Sequence, residues 1–337
     1  MKVIIDNKIP YIKEAVEKIA TEAVYLPGDA FTREAVKDAD ALIVRTRTRC
    51  DRTLLEGTRV RFIATATIGY DHIDVEYCRE VGIVWTNCPG CNAGSVEQYV
   101  HSVLLLLKRE KGLDLQNATI GVVGVGHVGS RVARMAEQLG MKVLLNDPPR
   151  ADKGEQGFVD LKTIARECDV VTFHTPLNRV GRYRTFHLAD ESFFLSLERI
   201  PYIINSSRGE VVDTASLLSA LAEGRVKDAV IDTWENEPCI SYDLLKKAYL
   251  ATPHIAGYSA DGKANATRMS LEALCRFFGL EADFTISPPE LSELQLSDNP
   301  EEACLQLYDP TRDSEWLKAS PEKFEWFRGN YPVRREF

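Results

Sequence analysis

Three residues in the middle of the chain have the chemistry to hold a carboxylate and to move a proton beside it: Arg208, Glu237 and His254. Each follows a short apolar run, residues 202–205, 229–231 and 249–251, that reads as a buried β-strand. An arginine fork can clamp a carboxylate with two parallel hydrogen bonds and polarise the adjacent C–O group. An imidazole can take a hydroxyl proton near neutral pH while a hydride leaves the same carbon. A glutamate on the other ring nitrogen fixes the tautomer and favours imidazolium in the reverse direction. Taken singly, the three read as a surface ion pair, a turn residue before Pro238 and a satisfied core histidine. Their recurrence at consecutive strand ends, where open α/β sheets place active sites, points to one site.

A hydride needs an acceptor, and the stretch Thr119-Ile-Gly-Val-Val-Gly-Val-Gly-His-Val-Gly129 supplies a place for one. A β-branched run breaks there into Gly-x-Gly-x-x-Gly and continues into a helical pattern carrying Val132, Ala133, Ala136 and Leu139. Gly124 can make the tight turn, Gly126 lets backbone approach a pyrophosphate, and Gly129 permits close helix–strand packing. The helical segment from Ser130 would point its free amides at the phosphates, with His127 and Val128 among the cofactor contacts. Asp147 ends the next apolar run, placed to accept hydrogen bonds from an adenosine ribose. A carboxylate there favours NAD over NADP. Asp147 also suits a turn before Pro148 and Pro149, and Arg150 could soften the exclusion of NADP.

These sites need two sheets to carry them. Length suggests two or three domains for 337 residues, with 45% hydrophobic residues to pack them. From the N-terminus to about residue 95, strands at 2–5, 41–44, 62–64 and 83–85 alternate with helical segments, a small parallel α/β layer. The run 41–44 ends in Arg45-Thr-Arg-Thr-Arg49, either a solvated charged loop or, if the substrate is anionic, a set of forks for phosphate or carboxylate. The loop Ala64-Thr-Ala-Thr-Ile-Gly-Tyr-Asp-His72 offers Thr67 and Gly69 to a polar pocket; His72, beside Asp71, reads as structural. Cys88-Pro-Gly-Cys91 has the spacing of a redox or zinc motif, but without a second pair or a nearby histidine it reads as a turn, and no metal is expected. A long helical pattern from Gly94 then leads into the glycine-rich strand.

Net charge of -9 argues against a nucleic-acid partner. The longest aliphatic run, Val103 to Leu107, is far short of a membrane span, and there is no N-terminal signal pattern, so a cytoplasmic protein is expected. Eight scattered cysteines fit reduced thiols.

The glycine motif, Asn205-Ser-Ser-Arg-Gly209, Glu237-Pro238 and Pro253-His-Ile-Ala-Gly257 together resemble the D-2-hydroxyacid dehydrogenases. The resemblance spans roughly residues 1 to 280. It implies two parallel-sheet α/β domains, Rossmann-like and flavodoxin-like, separated by a cleft: residues 1–95 with 255–280 for substrate and 96–254 for NAD. A small C-terminal α+β domain, 281–337, would make a homodimer, carried by Tyr308-Asp-Pro-Thr-Arg-Asp313 and Arg328-Gly-Asn-Tyr331. Matching motifs imply catalytic roles for Arg208, Glu237 and His254, and cofactor contacts from Asp147, Thr175, Ser206, Ser207, Asp232 and Gly257. Substrate contacts would come from Thr46, Thr67 and Tyr258, with Arg45 and Arg47 at a phosphate end. Family members often carry Ser where Thr46 stands. Further motifs, including Ala64-Thr-Ala-Thr67, Pro89-Gly-Cys-Asn92, Asn146-Asp-Pro-Pro-Arg150 and Phe173-His-Thr-Pro-Leu177, are similar to members that oxidise 4-phospho-D-erythronate in pyridoxal phosphate synthesis. The alternatives are relatives acting on phosphoglycerate, hydroxypyruvate, glyoxylate or lactate, and a non-catalytic NADH-sensing scaffold.

Overall fold

The computed structural model describes residues 1–290 and 295–336. The chain divides into two compact units, Met1–Asn92 with residues from 259 to 290, and Ala93–Tyr258 with residues 295–336.

The first unit is built on five parallel strands, β1 (Lys2–Asp6), β2 (Glu22–Leu26), β3 (Ala41–Val44), β4 (Phe62–Thr65) and β5 (Val84–Thr86), in the order β2-β1-β3-β4-β5. This is the flavodoxin-like order. Successive side chains of β1 and β3 serve opposite faces, as strand geometry requires. Val3, Ile5, Ala41 and Ile43 pack with Ile12, Val16, Leu271 and Leu274, while Ile4, Leu42 and Val44 pack with Val36, Leu54, Leu55 and Tyr77. The helix Ala260–Phe278 closes the first of these faces and stacks Phe277 on Phe62 at 5.1 Å. Ser259 caps its start and Gly279, at φ +67°, ends it.

A six-stranded parallel sheet organises the second unit: β6 (Thr119–Val123), β7 (Lys142–Asn146), β8 (Val170–Phe173), β9 (Tyr202–Asn205), β10 (Asp228–Ile231) and β11 (Leu250–Ala251). The order is β11-β10-β9-β8-β6-β7. Beyond β7 a single parallel bridge, Leu145 to Phe158, stands where a doubly wound dinucleotide fold has a further strand. The chain reverses direction across the sheet between β6 and β8, and such switch points put a crevice at the strands' C-terminal ends. Ala93–Lys111 is buried along most of its length and packs with the helix His127–Gln138 and the sheet.

Residues 295–336 are helical, with Pro300–Leu307, Thr311–Ala319 and Phe324–Gly329, and contain no strand among the described residues, so the expected α+β character of this segment is replaced by an α-helical one. The reason lies at the edge of the sheet. Instead of extending it, Thr311–Ala319 covers β11: Ser314 Oγ accepts from the Ala251 amide at 3.0 Å, and Leu317 and Phe324 enter the core. The tail then turns inward. Arg334, only 5% exposed, donates to the carbonyls of Ser95 at 2.9 Å and Ala256 at 2.6 Å, and its guanidinium lies 4.1 Å from the Tyr308 ring. Glu336 accepts from Ser95 Oγ at the start of Ala93–Lys111, a favourable end for a carboxylate. No helix among the described residues is long and apolar enough to cross a membrane.

Candidate active site

The glycine turn after β6 behaves as its spacing predicts. Gly124 sits at φ +87°, and a Cβ there would lie 2.8 Å from the His174 carbonyl. At Gly129 a Cβ would stand 2.0 Å from the Gly124 oxygen, so any larger residue would pry helix from turn. Space over Gly126 is open, and this residue begins His127–Gln138 with no side-chain cap on the helix amides. Asp147 takes the turn role read from the sequence, capping Pro148–Ala151 through the Arg150 amide, and its Oδ2 also accepts from the Val125 amide at 2.8 Å, tying β7 to the glycine turn. Arg150 is held by the Val125 carbonyl at 2.7 Å, by Glu155 and over the Phe158 ring.

Three buried hydroxyls at neighbouring strand ends, Thr175 Oγ1, Ser206 Oγ and Thr233 Oγ1, have no hydrogen-bond partner among the described residues. With the open cradle at Gly126, they fit a polar dinucleotide that would satisfy them. Ser207 differs from Ser206: its hydroxyl donates to Asn205 Oδ1 at 2.9 Å, within a turn that Asn205 also ties to the Arg208 carbonyl at 3.0 Å.

Arg208, Glu237 and His254 all emerge from the C-terminal ends of adjacent strands β9, β10 and β11. Half-buried Arg208 is steadied by one bond, Nη1 to the Ser207 carbonyl at 2.8 Å. The next residue, Gly209, lies so close to the β10 loop that a Cβ would meet the Trp234 carbonyl at 1.9 Å, which fixes the spacing of the two loops. Glu237 faces His254 squarely, with Nδ1 2.8 Å from Oε2 and 3.0 Å from Oε1. Burial opposes its charge, but the bonds from His254 and the Trp234 amide, with the nearby charges of His254 and Arg328, prevail and hold the carboxyl below its ordinary range. Nδ1 is thereby committed to the carboxylate.

His254 adopts φ +54°, a left-handed conformation that needs support. Asp232 provides it. Its carboxylate, 1% exposed, accepts from the amides of Ile255 at 2.8 Å and Ala256 at 3.0 Å and from Thr252 Oγ1 at 2.6 Å, while its carbonyl accepts from the His254 amide at 2.8 Å. Burial outweighs these bonds and pushes its carboxyl above the usual range. Asp232, read from the sequence as a cofactor contact, thus also shapes the loop that carries His254, Gly257 and Tyr258. Two other histidines are poor bases: burial drives His174 down to about 3, and lowers His72, which bonds Thr65 at 2.9 Å.

In the first unit, Arg45 follows β3 half-buried, its Nη1 3.4 Å from the Lys8 carbonyl, and Thr46 and Arg47 form the exposed turn beyond it. Arg49 pairs with Asp51 at 3.0 Å while 82% exposed, the solvated reading of that charge. Thr67 donates to the Gly69 carbonyl at 2.9 Å, next to Thr65 Oγ1 at 2.7 Å. Cys88 is fully buried against the Ala266 carbonyl at 3.2 Å, with its thiol raised by burial, and the Cys91 amide closes the turn on the Cys88 carbonyl at 3.3 Å.

Comparison with known proteins gives this arrangement its family. The model described as D-isomer specific 2-hydroxyacid dehydrogenase, NAD binding domain, matches residues 96–256. An erythronate-4-phosphate dehydrogenase of Bacteroides fragilis is 60% identical over 338 aligned residues, covering 100% of this chain and 97% of that protein. The chain belongs to the D-isomer specific 2-hydroxyacid dehydrogenases. A further relative of that name, from Cronobacter sakazakii, is 41% identical over 100% of this chain and 92% of its own. Among solved structures, NAD-bound 3-phosphoglycerate dehydrogenase of Entamoeba histolytica aligns with a TM-score of 0.69 at 26% identity, over 85% of this chain and 98% of that one. The protein is therefore an NAD-dependent 2-hydroxyacid dehydrogenase.

For a dehydrogenase of this family, the sequence left some parts without a role. Thr233 was overlooked, though its place one residue after Asp232 at a strand end is itself a signal. His187, paired with Glu235 at 2.7 Å, forms a second imidazole–carboxylate couple that no motif announces. From the C-terminal segment, Arg328 reaches Glu237 and Arg334 reaches the Ala256 carbonyl; the sequence marks Arg328 only within the Arg328-Gly-Asn-Tyr331 motif expected to serve a homodimer, and Arg334 not at all.

Proposed function

We propose that this dehydrogenase oxidises 4-phospho-D-erythronate to (R)-3-hydroxy-2-oxo-4-phosphobutanoate, a step toward pyridoxal 5'-phosphate. The observation that carries this reading is the 60% identity, along the whole chain, with a relative named for that substrate. Bound NAD supplies the acceptor for the hydride from C2. Arg208 clamps the substrate carboxylate and polarises the C2–O bond. Nε2 of His254 takes the hydroxyl proton as the carbonyl forms, and Glu237 stabilises the imidazolium that results. In reduction the same proton returns.

Cofactor contacts are assigned to Gly124, Gly126, His127, Val128 and Gly129, to Asp147 at the ribose, and to Thr175, Ser206, Ser207, Asp232 and Gly257, with residues 96–254 as the NAD-binding domain. Substrate contacts are assigned to Arg45, Thr46, Arg47, Thr67, Gly69 and Tyr258, with the two arginines at the phosphate and residues 1–95 with 255–280 as the substrate domain. Residues 281–337 are assigned to a homodimer, in the cytoplasm. Support for the arginine assignment comes from the half-buried stem of Arg45 beside an exposed turn.

The test is the ratio of kcat/KM on 4-phosphoerythronate to that on 3-phosphoglycerate and D-lactate. The expected result is a clear preference for 4-phosphoerythronate, with Arg45→Ala raising KM for it by about tenfold or more and sparing D-lactate. Preference for either competitor overturns the substrate assignment.

A further inference from the structure

Helix Phe324–Gly329 brings one arginine to the back of the catalytic pair. Nη1 of Arg328 lies 3.9 Å from Glu237 Oε2 and donates to Glu325 Oε1 at 2.9 Å. Its side chain is 23% exposed, and its Nε is buried without a hydrogen-bond partner among the described residues. A surface ion pair with Glu325 alone would leave the guanidinium in water, where such pairs contribute little. Here the fork is drawn inward, and a buried N–H is left unpaired to bring it there, an arrangement that costs free energy unless the position is used.

We propose that Arg328 is a positioning residue that holds the Glu237 carboxylate in place behind His254. The inference rests on the reading of His254 as the proton-transferring group. Glu237 Oε1 already accepts from the Trp234 amide, so Arg328 supplies the charge on the side that Oε2 presents. The groups facing this cluster are Tyr258 on the loop after β11, Glu325 on the same helix, and Asp232 and His254 beyond Glu237. Removing the positive charge makes protonation of the pair easier, so the limb of the rate profile that reports the pair moves to higher pH. Removing the charge of Glu325 strengthens the hold of Arg328 and moves that limb the other way.

The experiment is the pH profile of kcat on the preferred substrate for wild type, Arg328→Gln, Arg328→Lys, Glu325→Gln and His254→Gln. Arg328→Gln is expected to lower kcat about tenfold and to raise the limb by roughly half a pH unit, as one charge at this range allows. Arg328→Lys restores the limb. Should Arg328→Gln fail to fold, Glu325→Gln still reads the same coupling, with the limb moving down. A limb unmoved in both Arg328→Gln and Glu325→Gln, beside an inactive His254→Gln, overturns this inference alone. Wild-type turnover in His254→Gln overturns the reading of the pair and this inference with it.

Discussion

At the scale of single residues, the site separates the groups proposed for chemistry from the groups that hold them. His254 meets Glu237 through Nδ1, so replacing either should damage kcat more than KM. His254→Gln should lower kcat by about 10²- to 10⁴-fold and Glu237→Gln by at least about tenfold, with NADH binding, read by fluorescence titration, little changed. Full loss of NADH affinity in both would mean that they bind cofactor instead. The pair could be read from sequence because its members recur at successive strand ends, a pattern that survives without knowing any distance. The job of Asp232 was not legible. The family resemblance offers it as a cofactor contact, and only the three bonds it accepts from Thr252, Ile255 and Ala256 reveal that it also shapes the loop.

At the scale of elements, loop spacing and burial set the tolerances. Gly209 lets the β9 loop lie against the carbonyl of Trp234, so Gly209→Ala must push the Arg208 loop away from the Glu237 loop. The expected cost is about 1–3 kcal/mol of stability in urea titration, with kcat/KM lost well below the midpoint; an active, unchanged enzyme would show that the loops are not tied. His174, at the end of β8, gives a second check. Its value falls to about 3 in the fold against 6.5 in the free side chain, so the unfolded chain binds the extra proton between those limits. Stability from its neutral form is complete above about pH 6.5 and declines as pH falls, by about 1.4 kcal/mol per unit at most. Urea midpoints measured from pH 7 to pH 4 should fall less steeply in His174→Asn. The glycine turn was legible because its three constraints are local to one turn. Strand β2 was not, since Glu22–Leu26 is an edge strand whose side chains are only half covered and whose apolar alternation is weak. The run 321–331 reads as helix-like in the sequence, but the helical nature of the rest of the C-terminal segment was not legible, for a related reason: it is set by what Leu317 and Ser314 meet at β11, which no local pattern encodes.

At the scale of the molecule, the segment after residue 295 covers β11 on one side and leaves Trp316, Trp326 and Val333 exposed at 40%, 60% and 69%. Large apolar groups of this kind gathered in one short segment suit a contact with a second copy. Sedimentation equilibrium should give twice the 37.8 kDa chain mass, and Trp326→Glu should shift it toward the single chain; a wild-type monomer at micromolar concentration would remove the dimer from the proposal. The inward turn of Arg334 carries a different consequence, one for genetics. An Arg334→Ala allele changes one residue beyond the last helix of the described residues, and by position alone would be scored as silent. Because Arg334 ties the Ala256 carbonyl to the start of Ala93–Lys111, that allele belongs in the same class as lesions in the His254 loop.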